Sequence, residues 1–321
     1  MKRALSIILS LICIFCKNSL PAQPHFTILP LGVYGGSTEG NLSAYLIAPA
    51  SDTAFVALDG GTIMDGLKAV HRQHYFKISP ACFLRQRIKG YLITHPHLDH
   101  VAGLIINSPE DNPKNIYGLP FTIKALETRY FTWSSWANFA DEGEQPTLNK
   151  YHYIRLKPEV PTVLKHTKME VTAFELSHAH PGRSTAYLIK NNNAYFLYLG
   201  DTGDDKIEGS QRLHKLWEAV APLLKSGKLK GISIECSFPE KQPDNQLFGH
   251  LKPSSLISNL TILDRLAGGT PLHHVIAKLP VIIAHIKPVG DNEQIIHKEL
   301  KALNQLDLHL IFPKRGKRIA L

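Results

Sequence analysis

The chain has 321 residues, of which 44% are apolar and 20% charged, and a formal charge of +9. That is enough for one large domain or two small ones with a sizeable core, and four cysteines are too few for a disulfide-stapled fold. The positive balance tolerates anionic partners. The only dense basic block is KRGKR, Lys314 to Arg318, which reads as a solvated tail rather than a nucleic-acid patch.

The first residues differ from the rest. Lys2 and Arg3 precede ALSIILSLICIF, an apolar run too short to cross a bilayer comfortably, and SLPAQP follows it closely. A positive start, a short apolar core and a small residue near Ala22 describe a secretory signal. Residues 1–22 are therefore expected to be removed, leaving residues 23–321 as a single hydrolase domain, exported and periplasmic or secreted, with no stable membrane partner. Lipid attachment at Cys16 is the less favoured reading, because Phe15 stands where a small residue is needed. The mature chain then keeps only Cys82 and Cys236, too far apart in sequence to suggest a framework.

Beyond the leader, strand-like runs rich in Val, Ile, Tyr and Phe fall at 26–32, 43–48, 54–59, 89–94, 171–177, 184–190, 194–200, 230–235, 280–285 and 308–312. Helical spacing appears at 211–226, where Leu213, Leu216, Trp217, Val220 and Leu224 share a face, and at 254–266 and 291–304. Pro222 predicts a kink or an early end for the first of these. Pro253 and the two serines after it open the second. Early strands joined by short turns and later strands separated by helices predict an α/β sandwich of two sheets with helices outside. Residues 112–165 look like an irregular insertion, and its aromatic cluster RYFTWSSWANF is read as packing more than as pocket lining.

The densest chemistry is THPHLDHVAGLIINSPED, Thr94 to Asp111. His95 and His97 are two apart after a strand, so extended backbone points both rings the same way. Asp99 and His100 follow where the chain turns into a helix. Imidazole and carboxylate suit zinc, manganese or iron. Four such side chains in six residues cannot all bind one ion in good geometry, so two ions are expected. His178, Asp201 and His285 are the first chemistry-bearing side chains after three further strands, and the Asp201 carboxylate can bridge.

This set resembles the metallo-β-lactamase superfamily, whose pattern is HxHxDH followed by a His, an Asp and a final His. The resemblance implies an αββα sandwich of two mixed sheets with helices on the outer faces. It implies His95, His97 and His178 on one metal, Asp99, His100 and His285 on the other, and Asp201 between them. No cysteine stands among these positions, which speaks against a β-lactamase of the kind that uses one.

The longer stretch HPHLDHVAGLIINSPED is similar to the signature of class II cyclic-nucleotide phosphodiesterases, with Leu98, Gly103, Asn107, Ser108 and Pro109 as further matches. GNLSAYLI (40–47), LDGGT (58–62), FGHLKP (248–253) and AHIKP (284–288) resemble that family too, while SWANF (135–139) resembles its aromatic-Pro-Asn stretch only in part. The resemblance implies hydrolysis of 3′,5′-cyclic AMP, and of cyclic GMP with it, to the 5′-monophosphate by a metal-bridging hydroxide. Two divalent ions are implied, zinc first and Mn2+ or Fe2+ as substitutes. His250, in a loop before a helix, is the candidate general acid, with Glu235 orienting it, as in a similar Glu–His pair of the tRNA 3′-processing enzymes. Asp59 is expected to fix the loop beside the ligands, and His180 to support the site.

The competing readings are a 3′-processing RNA endonuclease of the same fold, a non-catalytic nucleotide-binding module, and a diiron oxidoreductase. No basic arm exists to grip an RNA, so no nucleic-acid partner is expected. Seven filled ligand positions disfavour a silent module, and no electron-transfer domain follows for the third. An aromatic patch on the insertion is compatible with a homodimer.

Overall fold

The computed structural model describes residues 24–321, so the expected signal segment and Cys16 lie outside the described residues. In chain order the first half contains β1 (Phe26–Gly32), β2 (Ala44–Pro49), β3 (Phe55–Leu58), α1 (Met64–Arg72), α2 (Pro80–Arg87), β4 (Ile88–Leu92), α3 (Leu98–Asn107), β5 (Lys114–Gly118), α4 (Pro120–Ala125) and β6 (Tyr151–Arg155). The second contains β7 (Thr162–Val163), β8 (Glu170–Ser177), β9 (Arg183–Asn191), β10 (Ala194–Leu199), α5 (Asp205–Glu208), α6 (Arg212–Lys225) and β11 (Leu229–Glu235). It ends with α7 (Pro253–Leu266), β12 (Pro280–Ala284), α8 (Asn292–Leu303), β13 (His309–Ile311) and β14 (Ile319–Ala320).

Two seven-stranded sheets form, in the orders β14-β1-β2-β3-β4-β5-β6 and β13-β12-β11-β10-β9-β8-β7. Each is antiparallel at one end and parallel at the other: β3 to β6 run parallel in the first sheet, and β10 to β13 in the second. The sheets stack because their strands are apolar on both faces. In β10, Ala194, Phe196 and Tyr198 point into the cluster between the sheets, while Leu197 and Leu199 join the outer cluster under Trp217 and Leu213 of α6. In β2, Tyr45 and Ile47 point inward, and Ala44, Leu46 and Ala48 point toward Leu67 and Leu104 of α1 and α3. That period of two in each strand yields the expected αββα layering.

Three expectations need correction. Residues 112–165 are not simply an irregular insertion, because β5 and β6 extend the first sheet in parallel register. Their sequences, KNIYG and YHYIR, hide the strand signal behind polar residues. The buried Lys114 ammonium lies 2.6 Å from Asp111 and donates to the Leu84 carbonyl at 2.9 Å, and the Asp111 carboxylate also accepts from the hydroxyls of Tyr91 and Tyr151. Pro222 does not end α6, which runs on to Lys225. It lies on the exposed side of the last turn, where water can satisfy the carbonyl it leaves free. KRGKR is solvated, with Lys314, Lys317 and Arg318 exposed, but it is not a loose tail. The Arg315 guanidinium donates to the Gly40 carbonyl, Arg318 lies over the Tyr75 ring, and Ile319 and Ala320 pair with β1.

The aromatic cluster packs in part, since Trp133 and Trp136 stay 43% and 36% exposed. Phe131 is fully buried, Trp136 Nε1 donates to Ser108 Oγ, and Tyr130 donates to the Pro96 carbonyl at 2.6 Å, bracing the loop between His95 and His97. Both cysteines of the described residues are free thiols. No helix among the described residues is long and apolar enough to cross a membrane.

Candidate metal centre and active site

The chemistry-bearing side chains gather where strands end. His95 and His97 follow β4, with His97 at the N-cap of α3 and Asp99 and His100 in its first turn. His178 follows β8 directly, Asp201 lies two residues past β10, Glu235 ends β11, and His285 follows β12. Apolar strands bury the backbone up to that rim, so each chain turn presents its first polar side chain there.

The seven expected ligands converge. His95, His97, His178 and Asp201 form one group whose ligand atoms all lie within 4.8 Å of one another, and Asp99, His100 and His285 form another. Asp201 Oδ2 sits between the groups. It lies 3.6 Å from His95 Nε2 and 3.8 Å from His178 Nε2 on one side, and 3.4 Å from His100 Nε2 and 3.3 Å from His285 Nε2 on the other. His285 Nε2 also approaches Asp99 Oδ2 at 3.1 Å.

The rings are aimed from behind. His100 Nδ1 donates to Asp59 Oδ2 at 2.9 Å, and His178 Nδ1 donates to the Gly249 carbonyl at 2.8 Å. His285 Nδ1 meets Ser237 Oγ at 3.1 Å and His95 Nδ1 meets Thr94 Oγ1 at 3.0 Å. With one nitrogen of each ring held, the other faces the centre. Asp59 performs the expected loop-fixing role, accepting also from Thr94 and Tyr198. Asp59 and His285 hold left-handed φ values of +59° and +57°, strain of the kind found where a site over-determines its backbone. Gly249 cannot be replaced cheaply, since its φ is +76° and an added Cβ would meet Ala179 N at 2.0 Å.

Whether this donor set fits cations is answered by groups that hydrogen bonding leaves unsatisfied. His95 Nε2 is buried without any partner. His100 Nε2 and His285 Nε2 face each other at 3.1 Å, and His178 Nε2 and His97 Nδ1 at 3.3 Å. Each of these pairs brings two ring nitrogens together at a distance that one bridging proton can occupy, and a cation can take that proton's place. Borderline nitrogen donors with hard carboxylates fit divalent transition ions. The His/Asp cluster is able to hold metal ions.

Electrostatics separates the histidines. Burial, then the neighbouring His100, pushes His95 well below its ordinary pKa, and burial takes His178 down to about 4. Burial also lowers His97. His100 goes the other way: burial pulls it down, but Asp201 and Asp59 raise it well above the ordinary value. Burial opposes ionisation of Asp201, yet His285 and His100 hold its carboxyl well below the usual range.

Beside the cluster stands a second pair. His250 Nδ1 lies 2.8 Å from Glu235 Oε1, and both side chains are buried. Burial lowers the His250 pKa, but the Glu235 carboxylate more than offsets it, so the net shift is upward. His250 can also be grouped with Asp201 and His285 as a ligand set. The nitrogen it turns toward Asp201 is Nδ1, at 3.8 Å, and Glu235 already holds that atom, while Nε2 meets Lys287 Nζ at 2.9 Å.

Two functional residues were missed in the sequence. Lys287 lines a cavity of about 400 Å³ with His97, Asp99, Asp201 and His250. Ser237 donates to Glu235 Oε2 at 2.6 Å and contacts the rings of His250 and His285, tying the acid pair to the ligands. Both lie in the stretches IECSF and AHIKP, whose family likeness was the one available signal. His180 does not support the site through its ring: it is exposed, and its backbone N–H donates to Glu208.

Two mixed sheets between helices, with histidines and aspartates gathered at the strand ends, define a hydrolase of metallo-β-lactamase fold. The metallo-beta-lactamase fold protein YhfI of Bacillus subtilis shares that fold at a TM-score of 0.61 and 16% identity, over 93% of this chain and all of that one. The family model of class-II cAMP phosphodiesterases matches residues 26–316. The chain is 41% identical over 326 residues to the 3′,5′-cyclic-nucleotide phosphodiesterase of Aliivibrio fischeri, covering 98% of each. The crystal structure of unliganded yeast PDE1 superposes at a TM-score of 0.82 with 25% identity, covering 93% of this chain and all of that one. The chain belongs to the class-II cAMP phosphodiesterase family.

Proposed function

We propose that this chain hydrolyses 3′,5′-cyclic AMP, and cyclic GMP with it, to the nucleoside 5′-monophosphate at the His/Asp cluster. The observation that carries the reading is the shared Asp201 Oδ2 between two ligand groups, with the Glu235–His250 pair beside it. His95, His97 and His178 would hold one divalent ion, Asp99, His100 and His285 the other, and Asp201 would contribute to both. Zinc suits the donors first, and Mn2+ or Fe2+ fits the same set. When bound, such a pair supplies Lewis acidity toward a phosphoryl oxygen and makes water nucleophilic near neutral pH.

The remaining roles belong to the chain's own residues. Glu235 fixes His250 through Nδ1 and leaves Nε2, which accepts from Lys287 Nζ at 2.9 Å, facing the cavity; once Lys287 turns to the anionic diester, Nε2 would be free to carry the proton given to the departing 3′ oxygen. Lys287 stands against that nitrogen and offers its positive charge to the anionic diester. Ser237 keeps Glu235 and His285 in register. Export through residues 1–22 would put the reaction on cyclic nucleotide outside the cytoplasm, which cell fractionation checks.

The test is product identification after incubating the purified protein with 2′,3′- and 3′,5′-cyclic nucleotides. The 5′-monophosphate from the 3′,5′ substrates alone is the expected outcome. A product from the 2′,3′ substrates only, or cleavage of precursor RNA in its place, would overturn the reading.

A further inference from the structure

Next to the His/Asp cluster, and continuous with it through Gly36, Leu98 and Asp99, lies a second cavity of about 530 Å³. That size is ordinary for a small-molecule site. Its walls are the solvent face of α3, the start of α1 and the loop 36–42. Leu98, Ala102 and Ile106 recur every four residues along that face of α3, and Leu98 and Ile106 are each 63% exposed. An apolar helix stripe left open to water beside a charged centre calls for an occupant. Met64 faces it, half-buried, with a polarisable thioether suited to an aromatic plane.

The close approach of α3 to the loop before α1 makes the slot. A Cβ at Gly61 would stand 2.0 Å from the Asp99 carbonyl, so only glycine lets the helix lie there. Gly36 N then donates to Asp99 Oδ2 at 2.8 Å, joining the slot's rim to the expected ligand. The charged groups of the lining are carboxylates, Glu39 and Asp65, the latter paired with Lys68 at 3.0 Å, with the Ser37 and Thr62 hydroxyls and the Asn107 amide, one N–H of which goes to the Gly103 carbonyl at 2.7 Å.

We infer that this slot receives the purine base of the substrate, with the apolar stripe of α3 against one face of the ring and the carboxylate-bearing rim toward its amino edge. The inference rests on the proposed phosphodiesterase reaction, because a phosphate at Asp99 and Asp201 directs the attached nucleoside to the adjoining cavity. None of the residues lining the slot lies in 112–165, where base recognition would be sought from the aromatic residues alone.

Ala102→Phe fills the slot, and Ile106→Glu puts a charge on its exposed wall where folding is not at stake. For each, kcat/KM is measured on cyclic AMP and on ethyl 4-nitrophenyl phosphate, a diester with no base. The ratio of the two constants should fall about tenfold or more in both variants, the scale on which misfit in an apolar pocket discriminates. An unchanged ratio, or equal losses on both diesters, overturns the slot while leaving the phosphodiesterase reading intact. A change of oligomeric state by sedimentation with an unchanged ratio also overturns it and assigns the stripe to a second copy of the chain. Failure of the unaltered protein to hydrolyse cyclic AMP removes the reading beneath it.

Discussion

Asp201 Oδ2 touches more of the centre than any other atom, with four ligand histidines within 3.8 Å. Single ligands are therefore not interchangeable in their effects. Asp99→Ala or His97→Ala is expected to abolish cyclic AMP hydrolysis and lower the metal content while the circular dichroism stays native. Both residues sit at the exposed mouth rather than in the packed layers, so a folded but fully active variant would refute the site. His250→Ala should cost on the order of 10²–10⁴-fold in turnover of cyclic AMP, whose leaving group is a poor alkoxide, and far less for an activated aryl diester. Equal losses on both substrates would remove His250 as the acid.

Proton counting offers a separate check. Among the ligand histidines, His95, His97 and His178 have lowered pKa values and are neutral at pH 7, while His100 has its value raised by Asp201 and Asp59 and keeps a proton. A cation needs His100 unprotonated, so its binding must expel that proton. Adding zinc to chelator-treated protein in weak buffer at pH 7 should acidify the solution, and affinity should weaken as pH falls. A pH-independent affinity with no proton release would contradict the assignment of His100.

At the scale of elements, the apolar strands were legible and the polar ones were not. AYFLYLG and PVIIAH announce buried strands because every second residue serves a different apolar layer. KNIYG and YHYIR carry the same topology, but their stability rests on charges that meet only in the fold, Lys114 with Asp111 and the latter with two tyrosine hydroxyls. No local pattern reveals that pairing, since the partners come from β4, β5, β6 and the turn before β5. Asp111→Ala leaves the Lys114 ammonium buried and unpaired. A loss of about 3–5 kcal/mol is expected for breaking such a pair, read as the change in unfolding free energy by denaturant titration. A loss within about 0.5 kcal/mol, the surface range, would show that water reaches Lys114.

The candidate site was more legible than the fold around it. Metal ligands need side chains of particular chemistry at strand ends, and both facts are local in sequence. Lys287 and Ser237 escaped because a lysine or a serine in a loop is ordinary until its neighbours are known. The slot beside α3 escaped for the opposite reason: Leu98, Ala102 and Ile106 look like core residues by period, and only the three-dimensional arrangement leaves them uncovered.

Across the whole molecule the two sheets are built alike, each antiparallel at one end and parallel at the other, and the chemistry sits where both contribute. The candidate ligands come from the turn after β4 and from α3 in one half and from the turns after β8, β10 and β12 in the other. Cations held between the halves would join them, so chelation should lower the melting temperature as well as the activity. An unaltered transition after complete metal removal would place the ions on one half alone.

The C-terminal residues carry a further implication for handling the protein. Ile319 and Ala320 sit beside β1 as the outermost strand, and Leu321 exchanges backbone hydrogen bonds with Phe26. A chain ending at Lys317 would uncover the first residues of β1, Phe26 to Ile28, a short apolar edge of free amides and carbonyls ready to recruit the same edge of another molecule. Such a shortened protein should form higher-order species in light scattering that the intact chain does not.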